Sequence, residues 1–594
     1  MRSAIAIAVA TIYLSLFAPA RAQQPVLHWQ PWSDTAFTQA RAEHKFVLLD
    51  LEAVWCHWCH VMDDITYSDP IVIRLLNQKY ILLKVDQDSR PDIANRYQEY
   101  GWPATIVFAA DGSEIVKRQG YIPPRPMSSM LQAIIDDPSP GPSVEPVPDF
   151  HPAEEAAIKP ATLAHVLASY DKQYDQKATG WGFSHKYLDS DGVEYALRLA
   201  GRGNTDYARR ATDTLHNATA LLDPVWGGMY QYSVGGHWSE PHFEKLISIQ
   251  ADALRNYSLA YAQTQNPEDL RAAQSVLRFV TAFLRSPEGA FYVSQDADLH
   301  DGEENESYFK LDDAGRRAQG IPRVDKHIYA RENGWMIVAL CEYYAASGDA
   351  SALAQAQAAA RWVIANRSLA SGGFRHDEHD AAGPYLGDTL AMGQGFLALY
   401  NVTGDRDNLK NSVAAAQYIS ANFAPTSPGT GFLTSRTATN QAYPPHPDRE
   451  ENIALVRFTS MLALATGEAK YHATAAEAMR YLAADSIALR PLSAGILLAN
   501  ADFTEAPLHV TIVGSLSSPE AIALHTTALR AITSHELIEL RDPSDSSPLP
   551  TSVEYPVLDR PALYLCTARA CSSPVFRPED VRGKIEKAQL RSGN

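Results

Sequence analysis

Short apolar runs alternate with helical stretches over the first quarter of the chain. Phe46-Val47-Leu48-Leu49-Asp50-Leu51 predicts a strand and is followed by a turn that holds two cysteines. A helical stretch then runs to about Lys79, and Tyr80 to Val85 predicts a second buried strand. Arg90 to Tyr100 reads as a helix and Thr105 to Ala109 as a third strand. The Asp111-Gly112 turn leads into Glu114–Arg118, and Met127–Ile135 closes the segment as a helix. Strands alternating with helices predict an α/β layer structure.

The pattern then changes. Between Pro138 and Pro152 six of fifteen residues are proline, which blocks helix and sheet ladders and predicts a semi-rigid linker. From Ala153 to about Asn500 long stretches rich in alanine and leucine predict about twelve helices: 161–174, 191–201, 205–222, 246–265, 268–285, 333–347, 351–367, 388–403, 406–422, 451–466, 469–485 and 491–500. Similar glycine-aromatic turns recur between them, at Gly180-Trp181-Gly182-Phe183, Gly227-Gly228-Met229-Tyr230, Gly289-Ala290-Phe291, Gly372-Gly373-Phe374 and Gly429-Thr430-Gly431-Phe432. Repeated helix pairs with such loops suggest an array or a closed toroid of hairpins. Beyond Pro507, Leu508–Val513, Glu536–Leu540 and Ala562–Cys566 read as strands, and Pro519–Thr533 and Pro578–Leu590 as helices. The expected division is residues 1–22, 23–137, 138–152, 153–505 and 506–594.

Composition narrows the function. The 594 residues are 46% hydrophobic and 20% charged, the mixture of an ordinary globular protein. A net charge of −18 argues against nucleic acid as a partner, because phosphate binding needs concentrated cations. Met1-Arg2, the apolar run Ala4 to Phe17 and Ala20-Arg21-Ala22 fit a cleavable signal peptide, too short to span a bilayer. Its removal takes the charge to −20 and points to a periplasmic or secreted protein without a membrane span. Five cysteines cannot form a disulfide framework, so redox chemistry has to sit at particular places.

The sharpest of these is Trp55-Cys56-His57-Trp58-Cys59-His60, where a strand ends and a helix begins. The positive end of a helix stabilises a thiolate at Cys56, and Cys-x-x-Cys spacing lets Cys59 resolve a mixed disulfide. The segment resembles thioredoxin. Asp50 stands where thioredoxins keep a buried acid, and Pro103 in Gly101-Trp102-Pro103-Ala104-Thr105 matches the cis-proline that faces the dithiol. Cys-x-x-Cys-His also satisfies the attachment pattern of c-type haem, although strand, dithiol, helix and Trp-Pro-Ala-Thr follow in thioredoxin order. Zinc on Cys56, His57, Cys59 and His60 would need four ligands from five residues, a poor tetrahedron. The expectation is no metal and no cofactor. Cys566 and Cys571 are either a structural disulfide or two free thiols, and Cys341 lies in an apolar helix as a core residue.

The helical part carries its own polar clusters. His237-Trp238-Ser239-Glu240-Pro241-His242-Phe243-Glu244-Lys245 packs histidines, acids and aromatic rings before a helix. Ser294-Gln295-Asp296-Ala297-Asp298 and Glu332-Asn333-Gly334-Trp335 follow. Paired carboxylates with aromatic platforms suit glycoside chemistry, and a histidine-rich loop suits proton abstraction, as in a sugar epimerase. The plainer reading makes His242 and Glu244 helix caps and the acids from Asp296 to Glu306 a solvated loop, whose spacing fails the EF-hand pattern.

Taken together, Cys56-His57-Trp58-Cys59-His60-Val61-Met62, Val85-Asp86 with Arg90-Pro91-Asp92, Gly101-Trp102-Pro103, Pro241-His242-Phe243-Glu244-Lys245, Gln295-Asp296-Ala297-Asp298, Asn333-Gly334 and the Cys566/Cys571 pair resemble the thioredoxin-domain proteins related to spermatogenesis-associated protein 20. The resemblance implies a thioredoxin-like domain followed by an (α/α)6 toroid similar to that of N-acylglucosamine epimerases and six-hairpin glycosidases. It supplies no settled reaction. Glu332, Gly182-Phe183-Ser184-His185-Lys186 and Gln119-Gly120-Tyr121-Ile122-Pro123 depart from the family pattern, near the expected pocket or the dithiol. The leading expectation is disulfide exchange with a protein disulfide or dithiol partner through Cys56, Cys59, Asp50 and Pro103. A ligand, which could be a carbohydrate, is expected at His242, Glu244, Asp296, Asp298, Asn333 and Trp238. A hydrolase or epimerase with an accessory thioredoxin domain, and a non-catalytic scaffold, are the alternatives.

Overall fold

The computed structural model describes residues 26–144, 150–303, 306–380, 382–436, 444–505, 507–531, 536–544, 555–567 and 570–592. The expected signal peptide lies outside these residues. The first domain is a five-stranded mixed sheet in the order β1-β3-β2-β4-β5, with β1 Trp29–Gln30, β2 Phe46–Glu52, β3 Tyr80–Asp86, β4 Ala104–Phe108 and β5 Glu114–Gln119. β1, β3 and β2 run parallel, β4 runs antiparallel to β2, and β5 antiparallel to β4. Strand alternation sends Val47, Leu49 and Leu51 to one face, against Phe37 of α1 (Asp34–Glu43) and Ile93 and Tyr97 of α4 (Pro91–Tyr97). Leu48, Leu82 and Val107 go to the other, against α3 (Pro70–Lys79) and α5 (Pro124–Asp136).

The single helix expected up to Lys79 is three pieces. Helix α2 covers His57–Val61, a π-helical turn covers Met62–Thr66, and Asp69 then starts α3 by accepting the amides of Ile71 and Val72 ahead of Pro70. An aspartate before a proline is a strong start signal, and it won over the continuous apolar pattern. The hydrophobic pattern predicts neither β1 nor α1.

The helical part closes on itself. Helices α7 (Ser190–Gly201), α9 (Ile247–Thr264), α13 (Ala330–Ser347), α15 (Leu386–Thr403), α17 (Arg449–Thr466) and α20 (Ala494–Thr504) each pack on the next, and α20 returns to α7. Outside them lie α6 (Pro160–Gln173), α8 (Thr205–Ala218), α10 (Pro267–Phe279), α14 (Ala350–Arg367), α16 (Arg406–Asn422) and α18 (Ala469–Leu482), which makes an (α/α)6 toroid. Two short helices, α11 (Glu306–Phe309) and α12 (Asp313–Gln319), lie in the connection before α13, and a third, α19 (Asp485–Ala488), lies between α18 and α20.

One device repeats around the ring. The fourth residue of an inner helix clamps the backbone of a glycine-aromatic turn: Gln250 holds Met229, Asn333 holds Phe291, Thr389 holds Phe374 and Asn452 holds Phe432. The turns therefore repeat because each buries backbone groups that a side chain one helix away must satisfy.

The thioredoxin-like domain sits over the end of the toroid at which the inner helices begin. Asp88 O lies 2.6 Å from His376 Nε2, Gln98 donates to Asp448, and Arg96 donates to Pro444 O. The first part of the proline-rich segment is held to β5, where Ser143 Oγ accepts the Lys117 amide and Gly141 donates to Ile115 O. At the other end lies a three-stranded unit ordered β12-β11-β13, with β11 Leu508–Val513, β12 Glu536–Arg541 and β13 Ala562–Cys566, flanked by α21 (Pro519–Leu529) and α22 (Pro578–Ser592). It packs on α15, and Tyr400 there donates to Glu539. No helix among the described residues is long and apolar enough to cross a membrane.

Candidate functional site

Cys56 and Cys59 form a disulfide at the start of α2. Cys56 precedes the first helical residue, and its sulfur accepts the Cys59 amide at 3.1 Å. Both cysteines are 3% exposed, packed with Ala53, Trp55, Trp102 and Leu246. The Trp102–Pro103 peptide is cis. Asp50 is buried in β2 with Lys84 3.5 Å from one oxygen and no hydrogen-bond partner for the other. Burial lifts its carboxyl to about 7 against the pull of Lys84.

The toroid supplies the rest of the surroundings through a strand pair, β6 (Tyr232–Ser233) with β7 (Pro241–His242), and a small sheet. β8 (Lys245–Leu246), β9 (Ser294–Gln295) and β10 (Val324–Asp325) pair antiparallel, with Lys245 opposite Gln295 and Val324 opposite Gln295 on the other side. The motifs Pro241–Lys245 and Gln295–Asp298 are thus neighbours in space. Alternation points successive residues to opposite faces. Lys245 goes into the core, where its ammonium meets Asp223 at 2.7 Å beside Arg316. Glu244 goes towards the dithiol.

Asp298 holds both histidines of the cysteine motif. Its two oxygens lie 2.8 Å from His57 Nδ1 and 2.9 Å from His60 Nδ1, and the Gly302 amide adds a bond. Burial disfavours charge on the imidazoles, but Asp298, helped by Glu244 at His57 and by Asp296 and Asp301 at His60, outweighs it and raises both pKa values. The same contacts hold Asp298 far below the usual carboxylate range against its own burial. Asp296 meets Arg323 at 3.0 Å, and burial raises it to about 6. The Asp-Ala-Asp segment expected to serve a sugar in the toroid instead grips the thioredoxin-like domain.

A cavity of about 850 Å³ lies between the two domains, with Cys56 in its wall. Glu244 lines it, as do Asp189, Asp191, Asp252 and Glu450 from the starts of the inner helices and the turns before them. Burial lifts Glu244 and Asp189 to about 7, Asp252 to about 6 and Glu450 to about 8. A second space of about 690 Å³ continues into the ring and shares Trp55, Trp102, Asp191, Asp252 and Glu450 with the first. The departures from the family pattern fall on these walls: Gln119, Gly120, Tyr121 and His185 on the first and Glu332, paired with Arg331 at 2.6 Å, on the second.

Of the six toroid residues expected around one ligand, only Glu244 lines the first cavity among the described residues. Asn333 is corrected to a structural residue, because its oxygen accepts from Phe291 and its nitrogen donates to Phe291 O and Tyr329 O. Trp238 donates to Ala178 O and presses on Gly180, where a Cβ would come within 2.8 Å of the indole. His242 stacks on Tyr232 with centroids 4.3 Å apart, and burial lowers its pKa to about 4. The inner-helix acids carry no motif that marks them. Asp189 looks like the helix cap it also is, accepting the Gly192 amide at 3.0 Å. Asp252 lies in a helix that also carries Gln250, Arg255 and Asn256, so its sequence context does not set it apart.

Two clusters have metal-like groupings, His60/Asp296/Asp301 and Asp50/Glu52/Asp63. Each already encloses a cation of the chain. Arg323 reaches Asp296 and Asp301, and Lys84 lies 2.9 Å from Glu52 and 2.6 Å from Asp63. Cys566 and Cys571 are bonded across a bridge at the end of β13, and Cys341 is buried and free.

Residues 12–136 match a thioredoxin-like family, Thioredox_DsbH, described as "Protein of unknown function, DUF255". Spermatogenesis-associated protein 20 of Homo sapiens is 26% identical over 307 residues, 46% of this chain and 39% of that protein. The chain spans about two-fifths of the length of such relatives. The thiol:disulfide interchange protein DsbD of Campylobacter jejuni is 32% identical over 82 residues, 13% of this chain and 14% of that one. Among solved structures, a sugar epimerase from a ruminal bacterium superposes with a TM-score of 0.45 at 13% identity, covering 57% of this chain and 95% of that one. The dithiol segment and the cis-proline lie within the residues that match this family model, and over about half of its length the chain is similar to spermatogenesis-associated protein 20.

Proposed function

We propose that the protein is a thiol-disulfide oxidoreductase whose Cys56/Cys59 pair exchanges with a dithiol or disulfide partner reached through the cavity. The observation that carries this reading is the placement of Cys56: it starts α2, is bonded to Cys59 and forms part of a cavity wall. In the reduced protein the helix start and the raised His57 favour the Cys56 thiolate. Cys56 attacks the partner disulfide, and Cys59 then attacks Cys56 and releases the second partner sulfur. Asp50, with a carboxyl near 7, is the proton acceptor for Cys59 in this scheme. Pro103 shapes the surface opposite the dithiol, and the segment 1–22 directs export to an oxidising compartment.

The test is stoichiometric. Protein reduced with dithiothreitol and freed of it is mixed with a panel of disulfides, and the masses of the cysteine peptides are followed. Cys56→Ala is expected to abolish both the exchange and the trapped mixed disulfide. Wild-type protein whose Cys56 and Cys59 stay reduced throughout would refute the reading.

A second reading makes the toroid carbohydrate-active. It is favoured by five carboxylates and several aromatic rings on one cavity wall, the groups that acid-base chemistry on a sugar requires. Turnover or binding of oligosaccharides that survives Cys56→Ala and is lost in Asp252→Asn would support it.

A further inference from the structure

The wall around Cys56 is chemically one-sided. Its acidic side chains among the described residues are Glu244, Asp189, Asp191, Asp252 and Glu450, with His185 but no lysine or arginine, and seven tryptophan and tyrosine side chains also line it. Arg457 and Arg449 approach Asp191 and Glu450 at 3.9 and 3.6 Å without lining this cavity. Glu244 is 3% exposed, and its Oε2 is buried without a hydrogen-bond partner. An unpartnered buried carboxylate oxygen on the wall of an open cavity asks for a donor from outside the chain.

The chemistry of that donor follows. Asp189, Asp191, Asp252 and Glu450 repel one another across the wall, burial disfavours charge on Glu244, and a bound cation relieves both. Aromatic faces add attraction for the same cation. A neutral polyol would hydrogen-bond to the acids but leave their repulsion in place, and an anion would increase it. Cys56 in the same wall requires the ligand to carry sulfur. A space of about 850 Å³ holds a small molecule, and the buried sulfur is out of reach of the surface of a folded protein.

We propose that the dithiol acts on small disulfides that carry protonated amines, held in this cavity by Glu244, Asp189 and Asp252 while Cys56 exchanges with their sulfur. This rests on the thiol-disulfide reading above. The Cys56 thiolate attacks one sulfur of the substrate. The substrate S–S bond breaks, a Cys56–substrate disulfide forms, and the first aminothiolate leaves and takes a proton. The Cys59 thiolate then attacks Cys56 and expels the second aminothiolate, which is protonated in turn. The substrate gains two electrons, and the protein ends as the Cys56–Cys59 disulfide. A small dithiol reductant returns it to the reduced state and is itself oxidised to a disulfide.

The experiment uses the full chain, reduced and freed of reductant, in single-turnover reactions with three probes. Cystamine carries two ammonium groups, 3,3′-dithiodipropionate carries two carboxylates, and insulin presents disulfides on a protein. Each rate is divided by that of the same probe with dithiothreitol. Cystamine is expected to be favoured over both others by about tenfold or more. Glu244→Gln and Asp252→Asn are each expected to reduce that preference severalfold, and either variant that unfolds at the wild-type temperature serves. Equal normalised rates, insulin as the best probe, or folded variants that keep the full preference would overturn the proposal and leave disulfide exchange standing. Failure of all three probes to oxidise Cys56 and Cys59 would overturn the exchange reading and the proposal with it.

Discussion

The chain contains two disulfides whose surroundings have almost nothing in common. Cys56–Cys59 starts a helix, lies in a cavity wall and has two histidines, a toroid aspartate and a buried glutamate around it. Cys566–Cys571 joins the end of β13 to the residues that turn back along it, with the Cys571 side exposed. Tyr555 Oη lies 3.5 Å from the Cys566 sulfur. The difference teaches that a cysteine pair acquires chemistry from what stabilises its thiolate and what can reach it. The second pair closes a short loop, which restricts the unfolded chain and does little else.

Removing the sulfurs one pair at a time separates the two most strongly. Cys56→Ser is expected to lower the disulfide-exchange rate by about a thousandfold or more, to the level of the uncatalysed reaction, in the single-turnover assay. Replacing Cys566 and Cys571 together by serine is expected to leave that rate within about twofold while costing about 2 kcal/mol of stability in denaturant unfolding. A double variant that loses exchange would make the second pair part of the redox path. A smaller effect is expected from Asp50→Asn, which slows release of the mixed disulfide by about tenfold to a hundredfold. Burial holds Asp50 protonated below about 7, so the wild-type release rate should climb as pH rises through 7, and the variant should lack that climb. Stopped-flow traces at pH 6 and 8 decide it. The same raised carboxyl works against folding, since the folded state keeps a proton that the unfolded chain gives up at lower pH. Asp50→Asn is therefore also expected to unfold at a higher temperature than wild type at pH 8.

What the sequence revealed follows from how local each signal is. The strand–cysteine–helix order, the sheet and the twelve long helices were legible because hydrophobic periodicity and the glycine-aromatic turns are local features. The site was only half legible. Cys56 and Cys59 announced themselves by spacing. The role of Asp298 depends on pairing between β8 and β9 and on the thioredoxin-like domain resting over that sheet, a contact between residues about 240 positions apart. Asn333 looked like a ligand because a polar residue at the start of an apolar helix reads the same whether it faces a substrate or a buried backbone. The acids of the inner helices were hidden in the opposite way, because capping is the commonest reason for an aspartate before a helix.

The contact of Asp298 with His57 and His60 gives the smallest effect and the finest contrast between the two cysteine pairs, because it belongs to one of them alone. Its pH dependence has a definite sign. The histidines have folded pKa values above the ordinary range, so their contribution is complete below about 6.5 and is lost as pH rises through the raised values. Asp298 has a depressed folded pKa, so its contribution is present above about 4 and is lost as pH falls below that. The pairing is therefore strongest between about pH 4.5 and 6.5. Asp298→Asn keeps the shape but removes the charge that faces two buried imidazoles, and it is expected to cost about 2 kcal/mol at pH 6 and clearly less at pH 9. Denaturant unfolding at the two pH values measures it, and the Cys566/Cys571 double variant, whose neighbouring Tyr555 phenol is pushed by burial above its ordinary value, should show the same loss at both. An Asp298→Asn cost that does not change between pH 6 and 9 would mean that neutral hydrogen bonds hold the dithiol against the toroid, and the histidines would then contribute no charge at Cys56.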